Sequence, residues 1–213
     1  MMEIRVNPTR MELLRLKKRL KVAIRGHKLL KDKFDELMKN FMKLVEENRR
    51  LRQEVEAELS GATQGFMMAR AIMSREALEA AIVLPKVKAE ITAATRNLMS
   101  IEVPEFKLQE SDVVGGIYPY GFAQTSAELD HAIRKLSASL NSLINLAQVE
   151  KTVELLAAEI EKTRRRVNAL EYVLIPQLEV TIKSITMKLD ENERGNLTRL
   201  MKIKDIVRTD ATS

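Results

Sequence analysis

The chain contains no cysteine and no tryptophan, and only five phenylalanines and three tyrosines. Without cysteine it has no disulfides, thiolate metal sites or thiol nucleophiles, a usage that fits a reducing compartment. Two histidines, His27 and His131, leave little imidazole for metal binding or acid–base work. Seven glycines and five prolines are few for an enzyme built on glycine-rich loops. No Gly-x-x-x-x-Gly-Lys-Ser/Thr phosphate loop is present: Gly61 and Gly65 are close in spacing, but Phe66 stands where lysine is needed. No serine nucleophile elbow occurs either. Long apolar runs are missing as well. The longest, near Ala77–Leu84, is broken by Glu79, far short of the ~18–20 residues of a membrane span. Met1–Arg10 is short, mixed and charged, unlike a secretory leader. These absences predict a cytoplasmic chain with no direct membrane insertion and no cofactor.

What remains is a chain 31% charged, rich in Ala, Leu, Lys, Arg, Glu and Met, the composition of long helices. The net charge of +6 is unevenly placed. Between Arg10 and Lys33 stand ten basic residues against Glu12 and Asp32, a local excess of eight, so the rest of the chain is slightly acidic. One end of the protein is strongly basic, and the whole is not.

Proline and glycine divide the sequence into two long uninterrupted segments around a broken middle. The first opens at Asn7-Pro8-Thr9, a helix-start signal. Alternate steps of three and four from Leu13 reach Leu16, Leu20, Ala23, His27, Leu30, Phe34, Leu37, Phe41, Leu44, Asn48, Leu51, Val55 and Glu58. Eleven of those fourteen positions are apolar, which is a sustained heptad seam. A helix over Leu13–Glu58 would be roughly 70 Å long. The last segment opens at Thr125–Glu128, with capping-box spacing. Its seam runs Val153, Leu156, Ile160, Thr163, Val167, Leu170, Leu174, Leu178, Ile182, Ile185 and Leu189, then Asn192, Asn196, Leu200 and Ile203. The doubled step of four, Leu170–Leu174–Leu178, is a stutter with Pro176 inside it, and predicts a kinked or re-aimed helix.

Matching seams predict an antiparallel two-helix hairpin with Leu13 near Ile203; a parallel homodimer is the other solution. In the middle, Gly65–Val83 reads as a shorter amphipathic helix, and Lys88–Val103 as two short strands turning around Arg96-Asn97. Val113–Gly121, with its paired glycines and Tyr-Pro-Tyr, reads as a loop. The expected fold is dominated by α-helix: a long antiparallel coiled-coil hairpin with a short helix and a small β-hairpin at the far tip. The expected divisions are 9–60 for the first long helix, 61–124 for the tip, 125–208 for the second helix and 209–213 for a tail.

Few constellations carry chemistry. His27 and Asn48 sit on the seam, where a polar residue fixes register rather than binding metal. Asp190-Glu191-Asn192-Glu193 points its carboxylates in different directions around a helix, as a solvated face does. Arg164-Arg165-Arg166 fans likewise, with Glu159 and Glu161 within a turn to neutralise it. The basic cluster has no aromatic residues for stacking on nucleic acid, and its apolar stripe is committed to the coil rather than to lipid. A protein partner with an acidic lining is left. Beyond the seam, Ile24, Met38, Met42 and Val45 on the first helix and Tyr172, Val173 and Ile175 on the second widen the apolar stripe. That surplus predicts another protein docking at mid-coil, where methionine offers an adaptable surface.

Asn7–Leu13, Arg25–Lys33, Glu159–Glu179 and Met187–Arg194 together resemble the D subunit of V-type and archaeal-type (V/A) rotary ATPases. The resemblance covers both long segments and the length of the chain. It implies a non-catalytic central rotor shaft carrying torque between an ATP-processing hexamer of A and B subunits and an ion-translocating membrane sector. It further implies an F subunit at the side of the coil, a membrane-side funnel subunit of C/d type at the lower end, and residence in a peripheral sector of a membrane complex. On that reading Arg10, Arg15, Lys18, Lys21, Arg25, Arg199 and Lys202 form the hexamer-facing shaft end. Met38, Met42, Val45, Tyr172, Val173 and Ile175 face the F subunit, Pro176 bends the shaft, and His27 and Asn48 set the register. A prefoldin-like holdase chaperone and a passive coiled-coil scaffold are the alternatives that the same seams serve.

Overall fold

The computed structural model describes residues 6–84, 89–110, 117–121 and 125–210, with backbone alone at 110 and 208–210. Helix α1 spans Arg10–Ile72 and α2 spans Arg75–Ile82. Strands β1 (Ala89–Leu98) and β2 (Ile101–Glu110) follow, then α3 (Ala127–Ala169), a π turn (Leu170–Leu174) and α4 (Ile175–Asp210). The long helices, the short helix and the antiparallel β-hairpin of the sequence reading are all present. Pro85, Lys88, Val113–Gly116 and the end of the expected tail, 211–213, lie outside the described residues.

The chain divides into two compact regions, one made of residues up to Glu36 with those from Glu161 onward, the other of Leu37–Ile160. In the first, the terminal region, α1 starts where the sequence signals it: the amide of Glu12 donates to Thr9 Oγ1 at 3.2 Å, capping one free N–H of the first turn. Leu16, Ala23, Leu178 and Ile185 form its buried core, flanked by Leu13, Leu20, Leu174, Ile182 and Leu189. Pairing is antiparallel, since Arg10 Nη2 meets Glu193 Oε2 at 3.2 Å while His27 lies against Glu171. Leu13 therefore packs in the cluster that contains Leu189, not near Ile203. Ile203 is 56% exposed, because α4 runs on to Asp210 past its last partner on α1.

The second region adds a layer. Leu37 and Leu156, both fully buried, pack with Ile101 and Val103 of β2, and Phe41, Leu44, Leu98, Met99 and Ile160 close around them. The hairpin thus lies along the α1–α3 pair, its turn end beside Leu37 and Leu156. Its register pairs Leu98 with Ile101 and Thr95 with Pro104. The turn is Met99-Ser100, three residues beyond the expected Arg96-Asn97. Both turn residues have positive φ, 54° and 71°, as a two-residue hairpin turn of mirror-image type requires. Neither is glycine, so local hydrogen bonding must hold the turn. Asn97 Oδ1 accepts from the Ser100 amide at 2.9 Å, and Asn40 Nδ2 approaches Met99 Sδ at 2.9 Å. Farther along β2, the Phe106 amide donates to Gln148 Oε1 at 2.9 Å, which ties the outer edge of β2 to α3.

The glycines of α1 do not break it. The helix continues through Gly61 and Gly65 to Ile72, and a side chain at 65 would place its Cβ 2.9 Å from the Ala132 Cβ. Gly65 is there for close approach of α1 to α3, not for a turn. The separate short helix starts later, at Arg75, with Ser74 Oγ accepting from the Ala77 amide at 3.3 Å. The seam also shifts near this point. Glu58 is exposed and Leu59 takes its place, leading to Ala62, Phe66 and Ala69, of which Ala62 and Ala69 are buried. Ala69, Ala81 and Leu129 form a second small core here. At the start of α3 the Thr125 hydroxyl donates to the Gly121 carbonyl at 3.2 Å, in place of the capping box expected with Glu128. Tyr120 donates to Asp130 Oδ1 at 2.6 Å, and Arg134 donates to the Tyr118 hydroxyl at 2.8 Å, so Tyr118-Pro119-Tyr120 straps onto α3.

Candidate shaft and partner surfaces

The basic cluster projects from one flank of a packed seam. Leu16 and Ala23 point into the core while Arg15, Lys18, Lys21 and Arg25 lie exposed between them. Their charges are directed at solvent and available to outside partners. Arg15 holds Glu12 at 3.2 Å and Arg10 holds Glu193, but both pairs are solvent-facing and contribute little to stability. Arg199 and Lys202 are exposed on the part of α4 that extends beyond Glu193. Leu197, Leu200, Met201, Ile203 and Val207 are exposed there too, so this stretch keeps much apolar surface uncovered among the described residues.

The mid-coil set falls in two places. Met38, Met42 and Val45 belong to the Leu37–Ile160 region, where Met42 is 53% exposed and Met38 half-buried. Tyr172, Val173 and Ile175 belong to the terminal region, where Tyr172 is 70% exposed and Ile175 half-buried. The arginine triplet is exposed, and Arg165 pairs with Glu161 one turn away.

The stutter is resolved by backbone geometry. At the π turn the Ile175 amide reaches back five residues to the Leu170 carbonyl. Pro176 follows immediately, and its ring nitrogen donates nothing. Sequence spacing located this irregularity but not its form. Beside it, His27 Nε2 is buried and lies 3.4 Å from Glu171 Oε2, within ion-pair reach but not aligned as a hydrogen bond. Asn48 Oδ1 is likewise buried without a hydrogen bond. Both residues are on the seam as their spacing predicted.

Two buried threonines beside the seam satisfy themselves. Thr152 and Thr181 are buried, and their hydroxyls donate to the carbonyls of Gln148 and Gln177, four residues back. In the strap, burial and then the Asp130 hydrogen bond push the Tyr120 phenol well above its usual range. Sequence reasoning gave no role to Glu171 or Met99 and read Gly65 as a helix start and Tyr118-Pro119-Tyr120 as plain loop, since none of them carries a periodic signal. Among the described residues no three His, Asp or Glu side chains converge as a metal site would require, and no helix is long and apolar enough to cross a membrane.

Comparison with known proteins bears on the same segments. The family model for the D subunit of ATP synthase matches residues 12–205. The V-type ATP synthase D subunit of Acetivibrio thermocellus is 63% identical over 205 residues, covering 96% of this chain and 92% of that one. Its namesake in Clostridium novyi is 58% identical over 215 residues, covering 100% of both chains. That of Fusobacterium nucleatum is 56% identical over 211 residues, covering 99% of this chain and 100% of the relative. A match that runs through both long helices, the π turn and the hairpin alike places this chain in the family of ATP synthase D subunits.

Proposed function

We propose that this chain is the central rotor shaft of a V/A-type ATP synthase, a non-catalytic subunit that transmits torque between the nucleotide-processing hexamer and the ion-translocating membrane sector. The observation that carries the reading is the end of α4. From 194 to 210 it is a regular helix on which Leu197, Leu200, Met201 and Ile203 face solvent, interleaved with Arg194, Arg199, Lys202 and Lys204. A helix with so much uncovered apolar surface needs a surrounding partner, and a sleeve of A and B subunits supplies one. The adjacent basic flank of Arg10, Arg15, Lys18, Lys21 and Arg25 gives diffuse, long-range attraction to such a sleeve with little locking. The F subunit sits on the exposed methionine and tyrosine patches, and the funnel subunit meets the α2-bearing end. Both seams resist twist because their cores stay packed.

The test is truncation after Glu193 in the assembled complex. The seam to Leu189 stays intact, so the shortened chain keeps its helical content and melting behaviour. ATP hydrolysis by the complex should no longer drive ion movement. Full ATP-driven ion transport by the truncated complex would overturn the shaft reading. A second variant probes the basic flank: Arg15, Lys18, Lys21 and Arg25 all replaced by glutamine should weaken assembly most at low salt, and the loss should shrink as salt rises and screens the wild-type attraction. Unchanged assembly at every salt concentration would remove the flank from the proposal.

One observation favours a holdase instead. Met67, Met68, Ile72, Val83 and Leu84 are exposed around α2, as well as the apolar residues of α4. A chaperone would use both sets to clasp unfolded chains. Suppression of aggregation of unrelated proteins by the purified chain, without stoichiometric binding to rotary subunits, would select that reading.

A further inference from the structure

The packed face that runs from Thr163 to Leu189 has one residue too many. Its seam positions, all buried or half-buried, are Thr163, Val167, Leu170, Leu174, Leu178, Ile182, Ile185 and Leu189, with Ile175, Pro176, Gln177 and the buried Thr181 beside them. Heptad spacing alternates three and four, yet the interval from Leu174 to Leu178 is four where three is due. After Ile182 the alternation resumes. In an unbroken α-helix that surplus would rotate everything beyond it by roughly 100°. Either Thr163–Leu174 or Leu178–Leu189 would then turn away from α1.

Neither does. Leu174, Leu178, Ile182, Ile185 and Leu189 all pack in one cluster with Leu16 and Ala23, and Thr163 is 2% exposed. The surplus has been taken up in the π turn. There the Ile175 amide skips the usual acceptor and bonds to Leu170, so the ring encloses one residue more than an α turn does. The residues pushed outward are the exposed ones, Glu171, Tyr172 and Val173.

Pro176 offers a competing cause, because its missing N–H and its ring disfavour the α pattern at this point. The two explanations differ in what the turn responds to. A proline-made turn exists because of one side chain, whereas a count-made turn exists because the helix must return to phase. We propose that Leu170–Leu174 is a register-absorbing turn, set by the number of residues in the helix and not by Pro176. It keeps one packed face toward α1 on both sides while storing a single residue of slack. The proposal is independent of what the shaft carries.

The chain has no cysteine, so a pair introduced by Arg10→Cys and Glu193→Cys, at the observed ion pair, is the only site for a short bifunctional thiol crosslinker. Three changes are made on that background. Pro176→Ala keeps the residue count, so the turn persists and the crosslink yield is unchanged. Deleting Gln177 restores regular heptads, so the turn relaxes to α-helix and the yield is again unchanged. Inserting one alanine after Lys183 adds a second surplus residue that an occupied turn has no room for, so the yield falls at least about tenfold. Loss of the crosslink in Pro176→Ala makes proline the cause and overturns the proposal. Loss of the crosslink or of folding on deleting Gln177 shows that the turn cannot give its residue back, and overturns it equally. An insertion without effect shows that the helix absorbs a residue anywhere, which removes the special role of this turn.

Discussion

The two regions solve the same packing problem with different means. In the terminal region two helices share a narrow seam, with a buried apolar cluster of Leu16, Ala23, Leu178 and Ile185. In the Leu37–Ile160 region the helix pair is overlaid by β2, so Leu37 and Leu156 are enclosed by three elements and lose all contact with water. The two-helix seam also buries Leu178 fully and Leu16 to 4% exposure, but with side chains of two elements alone, whereas β2 adds a third layer over Leu37 and Leu156. The difference teaches that the hairpin acts as a brace: it backs the buried leucines of the Leu37–Ile160 region with a third element, where the terminal region relies on two.

That contrast sets the largest expected effect. Leu37→Ala should destabilise the protein by about 3–5 kcal/mol, because a cavity ringed by Leu156, Ile101 and Val103 cannot collapse readily. Leu16→Ala, in the two-helix seam, should cost about 2–3 kcal/mol, since neighbouring side chains and water can enter the gap. Urea unfolding of the two variants checks the ranking. Equal losses would mean that the hairpin does not brace the coil.

Glycines give the next test, with opposite signs in the two regions. Gly65→Ala puts its Cβ 2.9 Å from that of Ala132, and both belong to backbone-fixed positions, so α1 and α3 must separate. A loss of about 1–3 kcal/mol is expected despite the better helix propensity of alanine. Gly26→Ala and Gly195→Ala meet nothing within 4 Å and should each stabilise by about 0.5–1 kcal/mol. Thermal melting of the three single variants decides. A stabilised Gly65→Ala would show that the helices are not in close contact there.

The same residues show how far the sequence can be read. The seams are legible because heptads repeat, and repetition averages over local exceptions; Leu16, Ala23, Leu37, Leu156, Leu178 and Ile185 all fall where counting puts them. Gly61 and Gly65 mislead because a glycine is silent about whether it serves a turn or a close approach. Spacing places the hairpin turn three residues early because Met99-Ser100 lacks the Asn-Gly signature, and its positive φ angles are stabilised by Asn97 and Asn40, one of them distant in sequence. The end of α1 pairing at Glu193 is also hidden, since the apolar spacing continues through Leu200 and Ile203 although both stay exposed. Spacing reports which face is apolar, not what meets it.

The smallest effect separates the regions by pH. Tyr120 is held neutral in the folded state, by burial first and then by its hydrogen bond to Asp130. Its folded pKa is raised above the usual tyrosine value of about 10, so its contribution is complete below that value. As pH rises beyond it, the phenol ionises in the unfolded chain before it can in the folded one, and stability falls. Tyr120→Phe removes the hydrogen bond, at a cost of about 1 kcal/mol at neutral pH, and with it this alkaline loss. Tyr172 in the terminal region is 70% exposed and makes no comparable strap, so Tyr172→Phe should leave the alkaline limb as it is. Urea midpoints measured from neutral pH to about pH 11, past the usual tyrosine range, distinguish the two. If both variants keep the wild-type alkaline slope, the loss does not arise at the strap, and the Leu37–Ile160 region owes its closure to the hairpin alone.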